Sequence, residues 1–107
     1  MGKKDTSTQD VLRALANEKR MQILKWLLDP TVHFPPQRDG DLVIDGVCVG
    51  AIVDKIGLSQ PTVTNHLRIM ADAELVTHRP IKNWVFYKAD KVAILKALES
   101  LRIQFEG

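Results

Sequence analysis

An α+β, mostly helical fold of one small domain is predicted by three observations. Residues 51–73 carry two helical patterns separated only by Gly57-Leu58, a connection short enough to force the helices to pack at a steep angle. Residues 74–89 carry two extended runs around a turn-forming centre, and the second run, Trp84-Val85-Phe86-Tyr87, is β-branched and aromatic. Residues 90–105 form one long amphipathic pattern. Elements in this order make a winged helix-turn-helix with a C-terminal dimerisation helix.

Length and charge bound the reading. A chain of 107 residues with 45% apolar content supports one core. The expected division is a disordered N-terminus at residues 1–8 and a single domain at 9–107. Net charge is only +2, too little to coat nucleic acid by charge alone, but its distribution is uneven. Within residues 29–47 Arg38 stands alone against Asp29, Asp39, Asp41 and Asp45, so this acidic insert is expected to face away from DNA. One cysteine, Cys48, excludes an internal disulfide and fits a reducing compartment. With no apolar run near the roughly 20 residues a membrane span needs, and no secretion signal at the start, the expectation is a cytoplasmic protein without a membrane partner.

The first helix is expected over Gln9 to Ala16, with Val11, Leu12 and Leu15 on one side. Asn17 is a natural cap for a second helix, Glu18 to Leu28, burying Met21, Leu24, Leu27 and Leu28. Asp29-Pro30 ends it, because the residue before proline is pushed out of helical geometry. Pro35-Pro36 and two Asp-Gly pairs mark residues 33–45 as irregular. Leu42-Val43-Ile44 and Val47-Cys48-Val49 flank Asp45-Gly46, a pattern that suits a small hairpin.

Ala51 to Ile56 then gives the first helix of the pair, and Ser59 caps the second, which starts at Gln60 with Pro61 in its first turn. At about 100° per residue, Val63, Leu67 and Met70 share one side. Thr64, Asn65, Arg68 and Asp72 share the other, with Thr62 at its edge and His66 on the flank. Amide, guanidinium and hydroxyl groups are the chemistry that reads base edges and phosphates in the major groove. The hairpin over Glu74 to Ala89 turns at Pro80-Ile81-Lys82-Asn83, so Arg79 and Lys82 lie near its tip, placed to meet phosphate or the minor groove. The last helix, Asp90 to Phe105, carries Ile94, Leu95, Leu98, Leu101 and Phe105 on a face wider than one small core needs. With Val11, Leu12 and Leu15 of the first helix, it is expected to form a two-fold dimer interface.

The runs LANEKRMQILKWL, GLSQPTVTNHLRIMADAELV and WVFYKAD, in that order before a terminal helix, resemble the ArsR family of winged helix-turn-helix transcriptional repressors. The resemblance implies a homodimer that binds double-stranded DNA at a palindromic operator and is released by an inducing signal, often a metal ion or thiol oxidation. It also implies that Ser59, Gln60, Thr62, Thr64, Asn65 and His66 are the DNA-reading positions, with Asn65 where many members have His. Arg68, Arg79 and Lys82 complete the expected DNA-binding set.

The departures bear on the signal. Metal-sensing members often carry Cys-Val-Cys where this chain has Cys48-Val49-Gly50, and zinc-sensing members place histidines on the terminal helix where residues 90–107 have none. Neither familiar metal site is expected, nor any cofactor, since one thiolate does not hold a soft metal. Cys48 remains as a redox switch, as a partner of His33, His66 or His78 at a metal, or as a small buried apolar residue. Any effector is therefore an unknown small molecule or thiol-reactive compound. Glu74 stands where the family usually has glycine before the wing, which predicts strain there. The favoured function is a sequence-specific, effector-responsive repressor; the alternative is a winged-helix protein-interaction module that does not bind specific DNA. No nucleophile–base arrangement, phosphate loop or carboxylate pair supports an enzyme.

Overall fold

Four of the helices begin on a side chain that takes up one of their own free backbone amides, the groups a helix start leaves without partners. The computed structural model describes residues 7–107, so most of the N-terminal stretch expected to be disordered lies outside the described residues. Ser7 caps α1 (Thr8–Leu15) reciprocally with Asp10, which begins the helix at Thr8. Asn17 caps α2 (Glu18–Leu28) by accepting from the Arg20 amide at 3.0 Å. Ser59 and Asp90 do the same for α5 (Gln60–Asp72) and α6 (Lys91–Glu106). Between α2 and α5 lie a short helix α3 (Pro30–His33), the two-residue strand β1 (Val47–Cys48) and α4 (Val49–Ile56). Between α5 and α6 lie β2 (Val76–Ile81) and β3 (Trp84–Ala89). This is the winged helix-turn-helix architecture.

The three strands form an antiparallel sheet in the order β1-β3-β2. The wing pairs Val76 with Ala89 and continues in step to Ile81 with Trp84. Its loop is therefore Lys82-Asn83, two residues and not the expected four. Pro80 sits within an edge strand, where a missing N–H need break no ladder. Lys82 takes φ +56°, the left-handed backbone at the first loop position that a tight hairpin of this length uses.

The core is laid down by α2, α4 and α5. Ile23, Ile52, Val63, Leu67 and Met70 are completely buried, with Leu75 and Val76 closing it from the start of the wing. The second helix turns out slightly out of phase with its sequence reading. It buries Arg20, Ile23, Leu24 and Leu27, spaced as one helical face, whereas Leu28 is exposed and Met21 half-buried.

Three further expectations are corrected. The hairpin around Asp45-Gly46 does not form. Asp41 instead closes residues 41–46 into a turn, its carboxylate accepting from the Val43 and Ile44 amides at 2.8 and 2.9 Å. Val47 and Cys48 pair with Tyr87 and Phe86 of β3, a longer partner than residues 42–44. Gly46 permits this approach at φ +105°, because a Cβ there would lie 2.4 Å from the Tyr87 carbonyl oxygen. Helix α4 starts at Val49, directly on β1 and ahead of the expected Ala51. Finally, Val11 and Ile94, both assigned to a dimer face, belong to the chain's own core.

Glu74 has φ +62°, as the missing glycine predicts. Its amide donates to the Ala71 carbonyl and that of Leu75 to the Met70 carbonyl, both at 2.9 Å. This is the paired closure that usually recruits glycine at the end of a helix.

Candidate nucleic-acid interface

Helix α5 is seated on one side and open on the other. Val63, Leu67 and Met70 lock into the core, and Gln60, Thr62, Thr64, Asn65 and Arg68 face outward, all exposed. Gln60, Pro61, Thr64, Asn65 and Arg68 line one shallow open concavity. Ser59 is exposed but already occupied. Its oxygen accepts from the Thr62 amide, and its hydroxyl donates to Thr62 Oγ1 at 2.9 Å, so Ser59 starts and orients the helix. Arg68 donates to Asn65 Oδ1 and lies 3.7 Å from Asp72. These exposed contacts along one helix are weak, on the order of 0.3–0.5 kcal/mol for the ion pair, and release easily to a stronger acceptor.

His66 sits at the edge of this face, half-buried. Arg20 NH1 stands 3.2 Å from its Nδ1. Burial, and after it the Arg20 charge, holds its pKa below the ordinary imidazole value, so the ring is neutral at neutral pH.

The acidic insert, expected to face away from DNA, folds against the wing hairpin. Asp45 pairs with Arg79 at 3.0 Å and Asp39 with Lys82 at 3.1 Å. Lys88 adds a hydrogen bond to the Ile44 carbonyl at 3.4 Å. Gln37 ties the insert to the sheet, donating to the Gly46 carbonyl at 3.0 Å and accepting from the Cys48 amide at 2.7 Å. Both wing cations named from the sequence thus already hold a carboxylate.

Cys48 is half-buried and lines a cavity of about 250 Å³ with Arg38, Asp39, Trp84 and Phe86. The structure does not gather His33, His66 and His78 around it: among the described residues no three His, Cys, Asp or Glu side chains converge to hold a metal ion. No helix among the described residues is long and apolar enough to cross a membrane.

The remaining candidate residues divide by exposure. Leu12, Leu95, Leu98 and Phe105 are exposed on α1 and α6, as are Val92 and Ile103, while Leu15 and Leu101 are half-buried. The sequence reading missed Arg20, Asp39 and Asp45. No local signal marks them, because their partners lie 46, 43 and 34 residues away.

Known proteins share this arrangement. Residues 47–78 match the model of the bacterial regulatory protein, arsR family. The chain is 39% identical to YbzH of Bacillus subtilis, named as an uncharacterized HTH-type transcriptional regulator, over 89% of this chain and 95% of that protein. It is 32% identical to the nodulation protein NolR of Rhizobium meliloti over 84% of this chain and 62% of that one. Among solved structures it superposes, with a TM-score of 0.61 and 26% identity, on the solution structure of a homodimeric winged helix-turn-helix DNA-binding domain from Mycobacterium bovis. That domain is described as a possible ArsR-family regulator, and the match covers 90% of this chain and 77% of that one.

Proposed function

The chain belongs to the ArsR family of bacterial regulatory proteins, and we propose that it acts as a homodimeric, sequence-specific DNA-binding repressor whose occupancy of a palindromic operator responds to an effector. One observation carries the DNA reading: α5 presents Gln60, Thr62, Thr64, Asn65 and Arg68 as an exposed polar face while its opposite face is completely buried. A helix so anchored can enter the major groove without shifting on the body beneath it. Arg68 then offers a bidentate fork to guanine, Asn65 an amide to adenine, and Thr62 and Thr64 hydroxyls to bases or phosphates. Arg79 and Lys82 exchange their carboxylates for phosphates as the wing meets the backbone.

The dimer reading is supported by the exposed apolar side chains of α1 and α6 and by the homodimeric state of the M. bovis relative. A two-fold axis through these helices lets two α5 helices reach successive major grooves about 34 Å apart. The family is one of regulators, not enzymes, and its setting is the cytoplasm, where DNA is accessible.

Substitution on DNA selected from a random pool tests the reading. Asn65→Ala and Arg68→Ala should each weaken specific binding by about 1–3 kcal/mol and leave non-specific binding nearly unchanged. Specific binding unchanged by both substitutions would remove α5 as the reader.

A further inference from the structure

Arg20 is the single buried charged residue among the described residues, 9% exposed. A buried guanidinium is costly unless its donors are satisfied, and here they are. Nε donates to the Ala14 carbonyl at 2.7 Å and NH2 to the Arg13 carbonyl at 3.0 Å. Both acceptors lie in the last turn of α1, where a helix leaves carbonyls without partners. The Arg20 amide is itself bound by the Asn17 cap. The side chain is therefore fixed at its root and along its fork, and NH1 is delivered to Nδ1 of His66 in α5.

That contact has only one chemical solution. A guanidinium carries donors and no acceptor, so Nδ1 must accept, and the ring proton must sit on Nε2. Among the described residues no protein group is bonded to Nε2. Arg20 is also the charged group that acts on the ring.

We propose that Arg20 is a positioning residue for DNA binding: it fixes His66 as the Nε2–H tautomer and so makes the ring a donor of set polarity toward a phosphate oxygen or a base acceptor. The ring then favours an acceptor such as guanine N7 or O6 and rejects an exocyclic amine. This rests on the DNA-binding reading of α5. One arginine joins the end of α1, the start of α2 and the recognition helix, so the placement of that donor depends on the packing of the helical body.

Two measurements test it. Long-range 15N–1H correlation spectra of the free protein at pH 7 should show His66 with a protonated Nε2 and an unprotonated Nδ1. A protonated Nδ1, or averaging between tautomers, would overturn the inference whatever the protein binds. The second compares two variants on the selected DNA. In His66→Gln the amide oxygen can accept from Arg20 while the amide nitrogen donates from the position of Nε2, so affinity should stay within about threefold of the parent. In His66→Asn the amide reaches only the position of Nδ1, and affinity should fall about tenfold, the loss of one hydrogen bond to a charged acceptor. Equal affinities for the parent and both variants, while Asn65→Ala and Arg68→Ala still weaken binding, would reject the role of His66 and leave α5 as the reader. Arg20→Met, which keeps an unbranched stem but carries no donor, should remain folded and show a mixture of His66 tautomers; retention of pure Nε2–H in that variant would also count against Arg20.

Discussion

Glu74 shows at the scale of one residue how a local rule is broken and accommodated. Left-handed backbone at a residue with a Cβ costs about 1–2 kcal/mol, yet the Schellman-type closure of α5 requires it. Glu74→Gly should stabilise the protein by about 0.5–1 kcal/mol, the strain relieved less the extra freedom of glycine in the unfolded chain. Urea denaturation reads this; an unchanged or lower midpoint would show that the Glu74 side chain contributes more than its backbone costs. His66 supplies a second residue-scale expectation. Its folded pKa lies below its ordinary value of 6.5, so the unfolded chain binds its proton first. The stability linked to it is complete above pH 6.5 and is lost as pH falls from there toward the folded pKa. The loss between pH 7.5 and 5.5 should be smaller in His66→Gln than in the parent protein, and equal losses would contradict a depressed pKa.

At the scale of elements, the wing and every helix but the short α3 were legible because their signals are local. Asn17, Ser59 and Asp90 announce helix starts within three residues of the amides they cap, and Trp84-Val85-Phe86-Tyr87 announces a strand by its own composition. The insert was misread because its structure is set from a distance. Val47-Cys48 pairs with β3, nearly 40 positions along the chain, and the apolar run at residues 42–44 is bent into a turn by the Asp41 carboxylate. In the same way, a segment read as acidic and therefore remote is held beside the wing because its acids find the wing's cations. On the proposed DNA-binding reading, the carboxylates of the insert occupy cations that DNA phosphates would otherwise take. Asp39 has Lys82 as its partner, whereas Asp45 also accepts from the Asp41 amide within the turn, so Asp39→Asn is the cleaner probe. It should raise DNA affinity about two- to fivefold at low salt, consistent with an exposed ion pair worth up to about 1 kcal/mol, and steepen the salt dependence by about one ion. A fall in affinity would mean that the Asp39–Lys82 pair orients the wing for DNA instead of competing with it.

At the scale of the whole molecule, the proposed dimer places its interface on the apolar side chains left outside the core. The sequence showed α6 to be amphipathic but not how its apolar positions divide. Ile94 turns into the core with Val11, while Leu95, Leu98 and Phe105 remain outside with Leu12. The opposite character is also set along α6, where Arg102 is clasped by Glu99 and Glu106. Leu98 is 47% exposed, so Leu98→Asp should leave the fold intact, and sedimentation should show a monomer for this variant and a dimer for the parent protein. A dimer retained by this variant would move the interface elsewhere. Two copies joined through α1 and α6 would present two α5 faces with two-fold symmetry, and the reading of DNA as a palindrome depends on that geometry. Selection of bound sequences from a random duplex pool by the intact protein tests this most directly. The proposed dimer predicts an enriched motif with two-fold symmetry, its half-sites centred one helical turn apart. Recovery of no enriched sequence would contradict the assignment of this protein as a sequence-specific DNA-binding repressor.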